Sequence, residues 1–322
     1  MPAPAPAQHQ DPDAAYPEVA SLRTALRGHD WPVLCDLFAD VDAATRTHLV
    51  NVVAGWGGAE NLLRPRLSRN PDDPLASTLF GAALVQSGWR IRTTARAALV
   101  SADRFDRFHE HLRRAEQVLI DVTARHPDDA AAWTQRITLA RGLELGQAEA
   151  RRRYDRLARH HPHHLAAQSS LLQQFCPKWS GSWERAHGFA RECVEAAPPG
   201  AHQAALVVEA HLEEMAEVVQ SLPPKEQARG GPRNHLRGVA DEIHAAAERS
   251  VRHPDFRHTI GWVTVRSTFA AAFDVLGDQD AAREQFDALG PYGDPRAFRY
   301  LGDGRAQQSR ARAQAYARSS AR

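Results

Sequence analysis

The sequence is poor in cysteine and lysine and has no long hydrophobic run. Its three cysteines lack a Cys-x-x-Cys spacing, which excludes a disulfide scaffold and indicates a reducing compartment. No apolar stretch approaches the roughly 20 residues that a transmembrane helix needs. The segment MPAPAPAQHQDPD has neither a basic region nor an apolar core, so we expect no signal peptide. These absences together predict a cytoplasmic protein that has no membrane partner.

Positive charge is carried almost entirely by arginine, because Lys178 and Lys225 are the only lysines. The 40 basic and 39 acidic residues leave a net charge of +1. This balance argues against binding to nucleic acid or to an anionic membrane through bulk charge.

An internal repeat is present in the middle of the chain. Four alanines each lie 12 residues before a proline, and the last three of these prolines are 35 and 36 residues apart. A period near 34 residues, with proline at the breaks, is typical of stacked helix pairs. The alanine would lie where two helices cross closely, and the proline would end the second helix. The four pairs are Ala59–Pro71, Ala115–Pro127, Ala150–Pro162 and Ala186–Pro198.

The repeat resembles the tetratricopeptide repeat. Trp133 falls on that family's tryptophan position, and Phe80-Gly81 falls on its Leu-Gly pair. The unit with the most matches is the last one, although no unit is complete. The resemblance implies an all-α fold, a right-handed solenoid of stacked antiparallel helix pairs. The matches in the last unit are Ala270, Phe273, Gly277, Ala282 and Phe286.

The same resemblance implies a concave groove, lined by the first helix of each pair, that binds a segment of another protein. The positions carried over are mostly small and uncharged, and they lack the Lys and Asn pattern with which some family members hold a C-terminal carboxylate. The expected groove residues are Thr78, Ala82, Thr134, Thr138, Arg141, Ser169, Gln173, Thr264, Ser267 and Asp274.

A second possible recognition patch lies at Lys178, Trp179 and Trp183. The stretch Lys-Trp-Ser-Gly-Ser resembles one found between two helices of actinobacterial repeat proteins. It could form an aromatic and cationic surface, or its tryptophans could simply cap the core. An insertion that interrupts the repeat near 88–108 contains further arginines. We include Arg90, Arg92 and Arg96 in the predicted patch, because insertions in repeat proteins often lie on a binding face.

The domain prediction is a disordered Pro/Ala-rich tail over 1–16, a helical solenoid over 17–290 and a C-terminal extension with a basic tail over 291–322. The solenoid contains the insertion near 88–108 and a loop near 223–234. Its helices are expected to include one pair over 42–68 broken at Gly55–Gly58, a single helix over 236–251, and a last pair near 258–276 and 279–289.

Histidines are the remaining candidates for chemistry. His160, His161, His163 and His164 surround Pro162, but a helix break there would keep them off one common face. The histidines of Phe-His-Glu-His-Leu, residues 108–112, are two apart and point to different sides of a helix. We therefore predict no metal site and no cofactor.

The leading hypothesis is a non-catalytic adaptor that binds a protein or peptide segment. The alternatives are an enzyme or enzyme accessory with a metal or small-molecule pocket, and a nucleic-acid-binding regulator that uses the arginines of 90–107 and 305–322. No phosphate-binding Gly-x-x-x-x-Gly-Lys motif and no Gly-x-Ser-x-Gly motif is present.

Overall fold

The computed structural model describes residue 9 and residues 11–93, 100–223, 225–226 and 229–317. Within these ranges the chain is all-helical and contains no β-strand. This confirms the all-α class that the repeat predicted. None of the described helices is long and apolar enough to cross a membrane. The chain divides into two units, one of Pro17–Gly181 and one of Met1–Tyr16 with Ser182–Arg322.

The first unit, Pro17–Gly181, has nine α-helices in its described part. A short 3₁₀ helix, Pro177–Trp179, follows the last of them. The nine are α1 (Pro17–Gly28), α2 (Trp31–Ala39), α3 (Ala43–Gly55), α4 (Ala59–Arg69), α5 (Pro74–Arg92), α6 (Ala102–Arg125), α7 (Ala130–Gly142), α8 (Gln147–Ala158) and α9 (Leu165–Phe175).

Aspartate caps explain where several of these helices begin. Asp42, Asp73 and Asp129 each accept a hydrogen bond from a backbone N–H in the first turn of α3, α5 and α7. Such caps satisfy donors that have no partner within the helix. Asp73 and Asp129 follow the repeat prolines Pro71 and Pro127, so each break also starts the next helix.

The core of the first unit is built around α5, which packs against α3, α4, α6 and α7. Every residue from Leu75 to Val85 is buried. Such a helix is apolar on all sides because neighbours cover all sides. Most described residues of the predicted insertion near 88–108 belong to two helices, because α5 continues to Arg92 and α6 begins at Ala102. The segment 94–99 lies outside the described residues.

The repeat positions predicted to lie at helix crossings are all buried. The alanines at 59, 115, 150 and 186 are at most 2% exposed. In the first unit α7 and α8 pack against each other across a connection of only four residues, Leu143–Gly146. Helix pairing of this kind agrees with the sequence, whereas the solenoid arrangement of the pairs stays a prediction.

The second unit, Met1–Tyr16 with Ser182–Arg322, has seven α-helices in its described part. The 3₁₀ helices Pro12–Ala15, His202–Ala204 and Pro295–Leu301 complete it. The α-helices are α10 (Trp183–Ala196), α11 (Ala205–Ser221), α12 (Gly231–Arg237), α13 (Ala240–Arg249), α14 (Trp262–Leu276), α15 (Gln279–Leu289) and α16 (Gly304–Ala317).

The described residues nearest to the two ends of the chain form helices and make tertiary contacts. Pro12–Ala15 form a 3₁₀ helix, and the buried Tyr16 oxygen accepts a hydrogen bond from the Gly261 N–H at 3.0 Å. Within the C-terminal extension, Arg310 Nη2 donates to Asp274 at 2.8 Å, and Arg312 is only 3% exposed. Residues Pro12–Ala15 therefore form a 3₁₀ helix where a disordered tail was expected, and the basic C-terminal extension is helical over Gly304–Ala317.

Two helix predictions in the second unit differ from the structure. The single helix over 236–251 is wrong, because α12 ends at Arg237 and α13 begins at Ala240. The loop near 223–234 is shorter than expected, because α12 already begins at Gly231. The last pair is confirmed as α14 and α15, joined at Gly277 with a left-handed φ of 76° that favours glycine.

Candidate binding surface

Half of the expected groove residues lie inside the protein. Thr78 Oγ1 donates to Asp129 Oδ2 at 3.0 Å, and the Ser267 hydroxyl accepts a hydrogen bond from the Asp294 N–H at 3.0 Å. A side chain that is covered by its neighbours and bonded to them cannot contact a partner. The groove assignment is therefore corrected for the five that are buried: Thr78 (0% exposed), Ala82 (1%), Thr134 (5%), Ser267 (0%) and Asp274 (7%).

The other five expected groove residues are partly exposed. Thr264 belongs to the second unit, where its hydroxyl donates to Asp294 Oδ2 at 2.7 Å. The remaining four belong to α7 and α9 of the first unit, and these two helices pack together. They are Thr138, Arg141, Ser169 and Gln173.

Ser170, which the sequence did not single out, joins α7 to α9. Thr138 Oγ1 and Ser170 Oγ lie 2.9 Å apart, and Arg141 Nη1 donates to the Ser170 carbonyl at 3.0 Å. Thr138 and Arg141 are three residues apart, so they share one face of α7. The two hydrogen bonds hold the Arg141 guanidinium at the α7–α9 contact.

From that position Arg141 reaches the predicted recognition patch. Its guanidinium carbon lies 5.6 Å from the ring centroids of both Trp89 and Trp179. The two indoles meet edge to face with centroids 5.9 Å apart. Arg92 adds a second guanidinium, 5.5 Å from the Trp179 ring. At these distances a guanidinium group is attracted to the face of an indole.

Local backbone structure places Trp179 on this surface. The 3₁₀ helix Pro177–Trp179 ends at Ser180, whose φ of 65° is left-handed. At Gly181 an added Cβ would lie against the Phe175 carbonyl oxygen, so only glycine fits. The Ser180 carbonyl also accepts a hydrogen bond from Gln147 Nε2. The Lys-Trp-Ser-Gly-Ser stretch is thus a tight turn that presents Lys178 and Trp179.

The structure brings together only part of the predicted patch. Lys178 is exposed, and Trp179 and Arg92 are half-buried. Arg90 is exposed and donates to Ser87 Oγ at 3.3 Å, and Arg96 lies outside the described residues. Trp183 is the first residue of α10 and belongs to the second unit.

We name the group of Trp89, Arg92, Thr138, Arg141 and Trp179 the Arg–Trp surface. Two sets of residues that the sequence suggested separately, the groove and the patch, meet here at Arg141. Sequence reasoning missed Trp89, although its spacing of three from Arg92 on one helix was a usable signal. Trp89 Nε1 is a buried donor without a hydrogen-bond partner among the described residues.

A concave pocket of about 320 Å³ lies elsewhere in the first unit. Its wall contains His29, Trp56, Asn61, Arg66 and Arg69. The His29 backbone is left-handed, with φ at 53°, and its ring meets Trp56 edge to face at 5.7 Å between centroids. Aromatic and basic groups in one pocket suit a small anion with a flat apolar part.

The histidine run around Pro162 does not converge on one point. His164 is buried and lies 2.9 Å from Thr47 Oγ1, whereas His161 Nε2 is 2.9 Å from the Asp128 carbonyl oxygen. His160 and His163 are exposed. The break at Pro162 separates these side chains, as the sequence indicated.

Comparison with protein-family models gave no match, and comparisons with curated proteins and with solved structures gave none either. The resemblance to tetratricopeptide repeats therefore rests on the quoted residues alone.

Proposed function

We propose that the protein is a non-catalytic interaction module that binds an acidic segment of a partner protein on the Arg–Trp surface. One observation carries the proposal: Arg141 stacks on Trp89 and Trp179 while it is hydrogen-bonded to α9. Tryptophan and arginine are the residue types that contribute most to protein–protein binding. The resemblance to tetratricopeptide repeats supports the same role.

The charge of the surface argues for an acidic partner. Arg92, Arg141 and Lys178 place positive charge around the half-buried Trp179. Carboxylates bind guanidinium groups through short, charge-assisted hydrogen bonds, while an apolar or aromatic residue of the partner could cover the indoles.

The proposal includes a cytoplasmic location, which is supported by the absence of a disulfide between Cys35, Cys176 and Cys193 in the described part of the chain. Cys176 and Cys193 are buried, and Cys35 is half-buried.

The test is selection from a displayed library of random peptides, followed by calorimetry with synthetic peptides. We expect the selected peptides to be rich in Asp and Glu and to contain an apolar residue. Arg141→Glu and Trp179→Ala should each weaken binding at least about tenfold. Arg156→Glu, an exposed residue of α8 in the same unit, is the matched control and should leave binding unchanged.

Selection without an acidic preference would contradict the proposal, as would binding that survives both surface variants. Binding of a 20-nucleotide single strand that falls steeply with salt and is lost in Arg141→Glu would instead assign the surface to nucleic acid.

The pocket beside Trp56 favours a second candidate function, the binding of a small anionic metabolite. Arg66 and Arg69 supply the charge, and Trp56 supplies an apolar wall. A thermal-shift screen of small phosphorylated and carboxylated compounds tests it. A hit should be lost in Arg69→Gln and kept in Arg141→Glu; a screen without hits would contradict it.

A further inference from the structure

Two histidines and a glutamate converge between helices α10 and α11 of the second unit. Each of His187, His211 and Glu214 offers one ligand atom, and these atoms all lie within 4.8 Å of one another. In the part of the chain that the structure describes, this is the one group of three metal-ligating side chains with such geometry. It shares no residue with the Arg–Trp surface.

Helix geometry explains the convergence. His211 and Glu214 are three residues apart on α11, so they point to the same side of that helix. Helix α10 packs against this side and contributes His187. The two imidazole rings lie 4.4 Å apart between centroids. The neighbouring Ala186 and Ala190 of α10 are fully buried and small, which allows the helices to approach closely.

A second carboxylate holds His211 in place. Glu242 Oε2 on α13 lies 2.8 Å from His211 Nε2. Glu242 is itself held by Arg191, whose Nε and Nη2 donate to its two oxygens at 2.7 and 3.1 Å. Held in this way, the Glu242 carboxylate accepts the Nε2–H of His211. Histidines that bind metals commonly donate their other N–H to a carboxylate in this way.

That hydrogen bond leaves His211 Nδ1 with a lone pair. Nδ1 is buried and has no hydrogen-bond partner among the described residues, and the side chain is only 4% exposed. A buried acceptor without a partner is destabilising. An oriented imidazole with an unused nitrogen is what a metal ion requires.

We propose that His187, His211 and Glu214 bind a divalent transition-metal ion of the zinc class, with Glu242 as a positioning residue. Two imidazole nitrogens and one carboxylate suit zinc, iron(II) or cobalt(II) better than calcium or magnesium. Three protein ligands leave at least one coordination position for water or another small ligand.

Small movements suffice to form the site. Donor atoms bound to zinc at about 2.0–2.1 Å lie roughly 3.3 Å apart in a tetrahedron. Donors of the group that are up to 4.8 Å apart would have to approach one another, and His187 Nε2 and Glu214 Oε2, at 2.7 Å, would have to separate. His187 Nε2 and Glu214 Oε2 already lie at the hydrogen-bond distance of 2.7 Å. The metal would replace the proton of that hydrogen bond, which is released to solvent.

The alternative explanation is that the two His–Glu contacts are only ion pairs that tie α10, α11 and α13 together. Calorimetry distinguishes the two with full-length protein that has been dialysed against a chelator and then titrated with zinc chloride. We expect one equivalent of zinc to bind and the melting temperature to rise. Cobalt(II) should bind at the same site and give the visible absorption of a four- or five-coordinate ion.

Matched variants identify the ligands. His187→Gln and His211→Gln should abolish stoichiometric binding, and Glu242→Gln should weaken it about 10- to 100-fold. The control is the double variant His160→Gln with His163→Gln, which removes exposed histidines of the run around Pro162 and should bind zinc like the wild type. Circular dichroism of the metal-free variants checks that they are folded.

Three results would overturn the proposal. They are the absence of stoichiometric zinc and cobalt binding by the wild type, retention of binding in folded His187→Gln and His211→Gln variants, and loss of binding in the control. If the glutamine variants fail to fold, Glu214→Gln is used in their place, because it keeps the size of the side chain and should still lose the metal.

Discussion

His164 Nε2 lies 2.9 Å from Thr47 Oγ1, so the residue that precedes α9 is tied to α3 across 117 positions of sequence. Its place in the repeat explains the contact. Asp73 and Asp129 stand two residues after Pro71 and Pro127 and cap their helices, whereas His164 stands two residues after Pro162 and makes no cap hydrogen bond. At this repeat a buried imidazole replaces a capping carboxylate.

The first prediction is that the stability of the first unit falls in mild acid. Burial lowers the pKa of His164 from 6.5 to about 4, so the unfolded chain takes up a proton between these values and the folded chain does not. Stability therefore rises with pH across this window, by about 2 kcal/mol between pH 5 and pH 7. Urea denaturation at several pH values measures it. His164→Asn removes the titrating group, and an equal pH dependence in this variant would contradict the prediction.

The second prediction concerns Glu116, which joins three helices of the first unit. Its carboxylate accepts hydrogen bonds from Arg136 of α7 at 2.8 Å and from Arg153 of α8 at 2.8 and 3.0 Å. Arg153 is only 3% exposed and would keep Glu149 as its one carboxylate partner, so Glu116→Ala would leave buried positive charge only partly paired. We expect a loss of about 3–5 kcal/mol in the free energy of unfolding.

Asp155→Ala is the control for Glu116→Ala, because the Asp155 pair with Arg151 is about half exposed. It should cost less than about 1 kcal/mol. Similar losses in the two variants would show that burial does not set the strength of the Glu116 interactions.

The third prediction tests the close approach of α5 and α6. A Cβ at Gly81 would lie 2.5 Å from Leu119 Cγ, and Leu119 is fully buried. Gly81→Ala should therefore destabilise the protein by about 1–3 kcal/mol despite the higher helix propensity of alanine. Gly55→Ala, where no atom lies within 4 Å of the added Cβ, should be neutral or slightly stabilising. Thermal melts compare the two; equal melting temperatures would contradict the prediction.

The fourth prediction concerns Tyr16 in the second unit. Its oxygen accepts the Gly261 N–H, and its ring is buried with only 6% exposed. Tyr16→Phe keeps the ring and removes the acceptor, so we expect a loss of about 1–2 kcal/mol. Denaturant titration measures the loss, and faster amide exchange at Gly261 should accompany it. Unchanged exchange there would show that the hydrogen bond is absent in solution.

Local sequence patterns predicted much of the fold. The break at Gly55–Gly58 separates α3 from α4, and the alanines at the repeat positions are all buried. These features depend on residues within one or two helical turns, so spacing and residue type are enough. The single helix expected over 236–251 was wrong because the break at Gly238–Val239 has no proline or charge cluster to mark it.

The candidate sites were predicted only in part. Trp179 and Arg92 were singled out, but the position of Arg141 between Trp89 and Trp179 depends on how α5, α7 and α9 pack. The groove residues were taken from position in a repeat, and half are buried because neighbouring helices cover them. A repeat pattern shows which side of a helix carries small or apolar residues, but it does not show which other helix packs against that side.

By itself, the sequence determined that the described part of the chain is all-helical, where several of its helices are broken, and which small residues are buried between them. Periodicity, proline and aspartate caps act within a few residues, so they can be read without the fold. Only the tertiary structure decided that His187, His211 and Glu214 converge while the histidines around Pro162 do not. Convergence depends on distances between separate helices, and packing alone sets those distances.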